Sequence, residues 1–329
     1  MEKTPKETKV AVVIPAYGVA DHILSVLSEI GHEASLIYVV DDQCPQKSGE
    51  LIQEQCKDTR VKVVFNKNNL GVGGATLVGY RLAMADGADI IVKLDGDGQM
   101  NPKEISRIIA PVVQGIADYA KGNRFFNIED VKGMPKVRLV GNLLLSFLAK
   151  LSTGYWDIFD PTNGFTAIDA RVIKYLPLDK ISSGYFFESD LLFRLNILGC
   201  VVQDVPHKAA YGDEISNLLV HKEVFVFFRG HLKNTLKRIG YNYFLRDFSL
   251  ASIELVLGLL SLAFGFTYGL WKWISLASEG EFASSGVVMI AALPIIIGMQ
   301  LLLSAINYDV QRVPRTPFTR LISAEGYSD

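Results

Sequence analysis

Two stretches of this chain are too long and too apolar to lie in water as ordinary surface helices. Residues 253–274 read IELVLGLLSLAFGFTYGLWKWI, charged only at Glu254 and Lys272, and residues 286–306 read GVVMIAALPIIIGMQLLLSAI with no charge. At about 1.5 Å per residue, a run of roughly 20 residues covers the ~30 Å hydrocarbon core of a bilayer. Buried helices of a soluble domain normally keep a polar face, so two transmembrane helices are predicted. Gly258, Gly265, Gly269 and Pro294 suit that setting better than a soluble helix. Arg229, Lys233, Lys237, Arg238 and Arg246 precede the first run and Arg312, Arg315 and Arg320 follow the second, whereas residues 276–285 carry only Glu279 and Glu281. The positive-inside rule then puts both chain ends in the cytoplasm, with Trp271 and Trp273 in the far aromatic belt. Residues 224–248 interleave aromatics with bases, the pattern of helices lying among anionic headgroups. Two spans with glycine-rich faces can pack between protomers, so a homo-oligomer of no fixed number is compatible with the sequence.

The two runs drive a mean hydropathy of +0.24. With 33 Lys+Arg against 35 Asp+Glu the net charge is −2, and neither a disordered chain nor a nucleic-acid partner fits: disorder needs low hydrophobicity, and phosphate binding needs a basic excess. Cys44, Cys56 and Cys200 form no C-x-x-C pair, which points to reduced, cytosol-facing thiols. The charged start, residues 1–9, and the short apolar run 10–15 do not make a secretion signal.

Ahead of the spans, strand and helix patterns alternate. VAVVIPAY (10–17), SLIYVVDD (35–42), VKVVFN (61–66) and DIIVKLD (89–95) are β-branched runs ending in polar residues, separated by helix-like stretches near 21–30, 48–56 and 72–85. Continuous apolar strands separated by helices predict a parallel sheet covered on both faces. Ligands bind such sheets beyond the carboxyl ends of the strands, where Asp41-Asp42, Asn69-Leu-Gly71 and Asp95-Gly-Asp97 fall. Asp95-Gly-Asp97-Gly-Gln99 gathers oxygens suited to a hard divalent cation that also binds phosphate. A calcium loop fails on spacing, since Met100 and Ser106 occupy its glycine and glutamate positions. In Asn69-Leu-Gly71-Val-Gly73-Gly74-Ala75 the dinucleotide fingerprint fails at Thr76, and no Gly-Lys-Ser/Thr follows for a P-loop. What remains is a glycine-rich helix start that lets backbone N–H groups approach a ligand or another strand. His207, His221 and His231 show no metal-ligand spacing and read as loop or interfacial residues.

In order and spacing, VVIPAY, VVDD, NLGVGGA, LDGDGQ and KGNRF (121–125) resemble the family 2 glycosyltransferases with a nucleotide-sugar-binding fold of the GT-A type. VRLVGNLLLSFLAKL (137–151), DPTNGFTAI (160–168), GYFFESDLLFRL (184–195) and YGDEISNL (211–218) look like the dolichyl- and polyprenyl-phosphate glycosyltransferases, whose bacterial members often carry two C-terminal spans. The resemblance implies an α/β, Rossmann-like GT-A domain over residues 1–221, an amphipathic juxtamembrane segment over 222–250, two transmembrane helices within 251–308 and a cytosolic tail over 309–329. It implies that Pro15, Tyr17, Val40, Asp41, Asp42, Asn69, Gly71, Asp95 and Arg124 serve the nucleotide-sugar donor. Asp97 and Gln99 would hold Mg²⁺ or Mn²⁺ on the diphosphate, while Arg124, Arg138, Asn142 and Ser216 would meet phosphates of donor or acceptor. Asp190 matches the carboxylate assigned as base or acceptor-orienting group, and Glu188 takes a family Gln position. A phosphate monoester, with a second pKa of about 6, is largely dianionic at neutral pH, so orientation alone would serve.

The chain departs from the family pattern at Gly18-Val19, where Asn-Glu usually follows Pro-x-Tyr, and this leaves the base of the nucleotide open. Ala209, with Lys208 beside it, stands where an Arg is frequent. The expected activity is inverting, metal-dependent transfer of a glucose- or mannose-type sugar from a UDP- or GDP-sugar to undecaprenyl or dolichyl phosphate at the cytoplasmic membrane. The alternatives are a catalytically silent membrane scaffold and a family 2 enzyme with a different acceptor. A processive polysaccharide synthase is disfavoured because none of Trp156, Trp271 or Trp273 follows an Arg.

Overall fold

The structure is a computed structural model that describes residues 8–126, 136–207 and 220–324. Two compact units divide the chain: one contains the described residues up to Thr235 and those from Pro314 onward, and the other is Leu236–Val313.

The first unit is built on a seven-stranded sheet of β1 (Val10–Ala16), β2 (Leu36–Asp41), β3 (Val61–Phe65), β4 (Ile90–Lys93), β5 (Tyr119–Asn123), β6 (Thr166–Asp169) and β7 (Val202–Pro206), in the order β3-β2-β1-β4-β6-β5-β7. β1 to β4 pair in parallel, as their apolar runs predict, and all of β1 is buried because helices cover both faces. β6 is the antiparallel strand, pairing Lys93 with Thr166 on one side and Lys121 with Thr166 on the other.

The helices of this unit are α1 (Ile23–Glu29), α2 (Ser48–Gln55), α3 (Gly71–Ala85), α4 (Ile105–Val113), α5 (Lys136–Thr153), α6 (Ala170–Ile173), α7 (Phe187–Leu198) and the greater part of α8 (Val220–Ile239). α4 buries Ile105, Ile108, Ile109 and Val112, the i, i+3, i+4, i+7 stripe of an amphipathic helix. α3 lies so close to β1 that a Cβ at Gly79 would fall 2.2 Å from Val13 Cγ1. α8 turns His231 and Asn234 inward and leaves Val224, Phe225, Phe228 and Leu232 exposed. His231 is therefore a core residue and not an interfacial one. Its Nδ1 lies 2.7 Å from Ser152 Oγ, its ring stands edge-on to Phe186, and burial pushes its pKa down to about 4. His207 is buried as well, with Nδ1 2.8 Å from Glu104 Oε2; the side chain of His221 lies outside the described residues.

After residue 313 the chain rejoins the first unit as α11 (Phe318–Ala324). Asp118, wholly buried, accepts hydrogen bonds from Phe318 N (2.7 Å), Thr319 N (2.9 Å), Thr319 Oγ1 (2.8 Å) and Val201 N (2.8 Å). One carboxylate thus caps α11 and ties it to the start of β7, satisfying donors that a helix start leaves open.

The second unit holds the last turn of α8, a π-helical turn (Gly240–Leu245), α9 (Leu250–Glu279) and α10 (Ser285–Gln311). α9 starts at a capping box between Ser249 and Ser252. Small residues let α9 and α10 meet closely: a Cβ at Gly298 would come 2.8 Å from Gly258 O, and one at Gly265 would come 2.8 Å from Ala291 O. Arg238 forks onto Asp309 at 2.7 and 2.9 Å in a buried pair. Both long helices expose large apolar side chains, and each is long and apolar enough to cross a membrane.

Candidate active site

β1 and β4 are neighbours, yet the chain runs from β1 through β2 and β3 before crossing back to β4. The strand order therefore reverses between them, which is where open α/β sheets form a ligand crevice beyond the carboxyl ends. Pro15 and Val40 are paired in register inside the sheet, and Tyr17, just past the end of β1, is 55% exposed. Asp41 and Asp42 are buried and hold the loops that follow β2 and β3. Asp41 accepts from Cys44 N and Gly49 N, both at 2.8 Å, fixing the loop into α2. Asp42 accepts from Asn66 Nδ2 (2.7 Å), Leu70 N (2.9 Å) and Gly71 N (2.8 Å), fixing the loop into α3. Asn69 Oδ1 also accepts from Gly71 N at 3.0 Å.

The glycines at the start of α3 face the chain itself. A Cβ at Gly71, whose φ is +79°, would lie 2.7 Å from Ser183 O, and one at Gly73 would lie 2.6 Å from Ser182 O; Gly74 N donates to Ser183 O at 3.0 Å. Of the two uses the sequence allowed, close approach of another segment is the one the structure displays.

At the end of β4, Lys93 is 1% exposed and donates to Asp95 Oδ1 at 2.6 Å, with Glu188 Oε1 3.0 Å away. Burial alone would lower the pKa of Lys93, but the charges of Asp95 and Glu188 raise it; burial raises that of Glu188 against the pull of Lys93. Asp97 is half-buried one turn further, its Oδ1 accepting from Gln99 N at 3.0 Å. Sequence reasoning missed Lys93. Its signal was a charged residue closing the otherwise apolar strand IIVK, which has to be paired if it is buried.

Arg124 follows β5 and is held by Asp160: Nε and Nη2 donate to the two carboxylate oxygens at 2.7 Å each. Burial would raise the Asp160 pKa, but Arg124 holds it below the usual carboxylate range. Asn163 Nδ2 donates to Asp160 Oδ2 at 3.1 Å. Next to this pair, Asp204 on β7 binds Lys121 Nζ (3.1 Å), Asn123 Nδ2 (2.8 Å) and Phe159 N (2.9 Å), so the KGNRF and DPTNG segments form one interlocked block.

Asp190 lies on α7 two residues after Glu188, but its bonds go elsewhere. It accepts from Ser182 N (3.0 Å), Arg194 Nε (3.1 Å) and Asn234 Nδ2 (2.9 Å), joining the loop before α7 to α8. It is Glu188 that the structure brings to Asp95. Arg138 and Asn142 lie on α5, the side chain of Arg138 being outside the described residues, as is Ser216.

A divalent cation shared with a diphosphate takes one or two carboxylates from protein and the rest from phosphate and water. Asp97 with Gln99 matches that partial donor set. Among the described residues no group of three His, Cys, Asp or Glu gathers as a closed metal site would require.

The family model described as Glycosyl transferase family 2 matches residues 11–176. The UDP-N-acetylglucosamine--dolichyl-phosphate N-acetylglucosaminyltransferase of Methanococcus voltae is 30% identical over 213 residues, 60% of this chain and 84% of that one. The polyprenol monophosphomannose synthase of Mycolicibacterium smegmatis is 30% identical over 200 residues, 59% of this chain and 75% of the relative. The dolichol-phosphate mannosyltransferase of Pyrococcus furiosus is 26% identical over 287 residues, 84% of this chain and 75% of the relative. Among solved structures, glucosyl-3-phosphoglycerate synthase from Mycobacterium tuberculosis, in complex with Mn²⁺, UDP-glucose and phosphoglyceric acid, superposes with a TM-score of 0.51 at 20% identity, covering 71% of this chain and 80% of that one. That likeness shows the GT-A fold.

Proposed function

Because this chain belongs to glycosyl transferase family 2, we propose that it moves one sugar from a UDP- or GDP-sugar to a polyprenyl phosphate at the cytoplasmic face of a membrane, with inversion. The observation that carries this reading is the end of β4, where Asp95 and Asp97 stand at the reversal of strand order, in a chain whose relatives bear polyprenyl-phosphate transferase names. α9 and α10 serve as the anchor. The chain leaves the catalytic unit after Thr235 and rejoins it at Pro314, which supports an even number of crossings.

In this reading a phosphate oxygen of the acceptor attacks the anomeric carbon while the bond to the diphosphate oxygen breaks, and the leaving group departs with the electron pair. Tyr17 lines the nucleotide side. Arg124, oriented by its fork onto Asp160, meets phosphate with a charge that no pH change removes, and Arg138 and Asn142 serve the acceptor phosphate. Asp41, Asp42, Asn69 and Gly71 shape the donor loops from behind, and Asp190 acts by fixing the loop before α7. Mg²⁺ or Mn²⁺ at Asp97 and Gln99 would supply positive charge against the charge gathering on the diphosphate.

A panel of UDP- and GDP-sugars with undecaprenyl or dolichyl phosphate, read by the mass of the lipid product, tests the reading. We expect one sugar per lipid phosphate and at least a 100-fold loss in Asp97→Ala. Nucleotide release with no glycolipid would refute the acceptor, and full activity in excess chelator would refute the metal role.

A further inference from the structure

Lys93 is a buried ammonium whose task none of the sequence motifs explains. Taking such a charge out of water costs several kcal/mol unless it is paired and hydrogen-bonded. Its partners come from two elements: Asp95 on the loop after β4 at 2.6 Å and Glu188 on α7 at 3.0 Å. The turn before β6 closes over them, because a Cβ at Gly164 would lie 2.5 Å from Lys93 Nζ and 2.3 Å from Asp95 Oδ2. Among the described residues, Tyr80 on α3 and Tyr119 on β5 also face the cluster, both buried and both held neutral, Tyr80 with its pKa pushed up to about 12. Two carboxylates and one ammonium leave one negative charge. Asp95, 28% exposed, is the member that reaches the crevice, while Lys93 and Glu188 stay behind it.

We propose that Lys93 is a positioning residue for the donor: it grips Asp95 by one oxygen and cancels the charge of Glu188, so that a second carboxylate can stand behind Asp95 without displacing it. The inference rests on the reading that the donor nucleotide binds at the end of β4. Without Lys93, Asp95 and Glu188 repel each other in a medium of low dielectric, and Asp95 loses its fixed orientation. Lys93 does not reach the crevice, so its effect falls on binding the donor more than on the bond-breaking step.

The test uses the full chain in detergent and titrates UDP and GDP, each with Mn²⁺, by calorimetry, followed by steady-state kinetics with whichever donor is used. Lys93→Met keeps the length of the side chain and removes the charge. We expect it to weaken nucleotide binding at least tenfold and to raise the donor KM by a similar factor, with a smaller change in kcat. The double variant Lys93→Met/Glu188→Gln removes the repulsion and should bind more tightly than Lys93→Met alone and melt at a higher temperature. Gly164→Ala, which crowds Nζ and Asp95 from the other side, should also raise the donor KM. A folded Lys93→Met protein that binds nucleotide within twofold of the wild type would overturn the inference, and so would a double variant no better than the single one. A wild-type chain that binds neither nucleotide would refute the donor reading and this inference with it, a result distinct from an unaffected Lys93→Met.

Discussion

Arg124 shows what a permanent charge gains from a buried partner. Asp160 takes two parallel N–H groups and so fixes the plane of the guanidinium, which a flexible ammonium cannot reproduce. Arg124→Lys should therefore lower kcat/KM about tenfold or more with the melting temperature little changed, as steady-state kinetics beside a thermal melt will show. His231 makes a prediction of the opposite kind, on stability and not on turnover. Its pKa falls from 6.5 to about 4 on folding, so between those values the unfolded chain binds more protons than the folded one. Its contribution is complete above pH 6.5 and is lost as the pH falls toward 4, roughly 3 kcal/mol in all. Melting temperature against pH should slope less steeply in His231→Phe over that window. Arg124 was legible because a short motif carries it. His231 was not, because a histidine on a helix of mixed polarity says nothing of which face turns inward, and Lys93 was not, because its partner Glu188 lies far away in sequence.

At the scale of elements, the apolar runs located β1 to β4 within a residue or two, since a strand covered on both faces has to be apolar throughout. The direction of β6 was not legible: its partners Lys93 and Lys121 lie dozens of residues away, and the four residues Thr166 to Asp169 carry no sign of parallel or antiparallel pairing. The start of α3 was half legible. Its glycines permit close approach, and what approaches is the loop 182–184. Gly71→Ala meets two penalties, a φ of +79° and a carbonyl oxygen 2.7 Å from the added carbon. It should cost about 1–3 kcal/mol, read from chemical denaturation or a thermal melt.

For the molecule as a whole, the two long apolar runs made α9 and α10 legible as long helices. The return of the chain was not, because Asp118 and its partners Phe318 and Thr319 are about 200 residues apart in sequence. Deleting residues 314–329 would leave the buried Asp118 carboxylate with Val201 N alone of its four donors described above. The deletion should lower the melting temperature of the catalytic unit by several degrees, and Asp118→Ala should do the same in the full chain. The same carboxylate has a consequence in time. Synthesis proceeds from the N-terminus, so the residues that complete the hydrogen bonds to Asp118 leave the ribosome only after both long helices have been made. The catalytic unit therefore reaches its final form after the two long helices exist, and nascent chains arrested before residue 314 should be more open to protease than released ones.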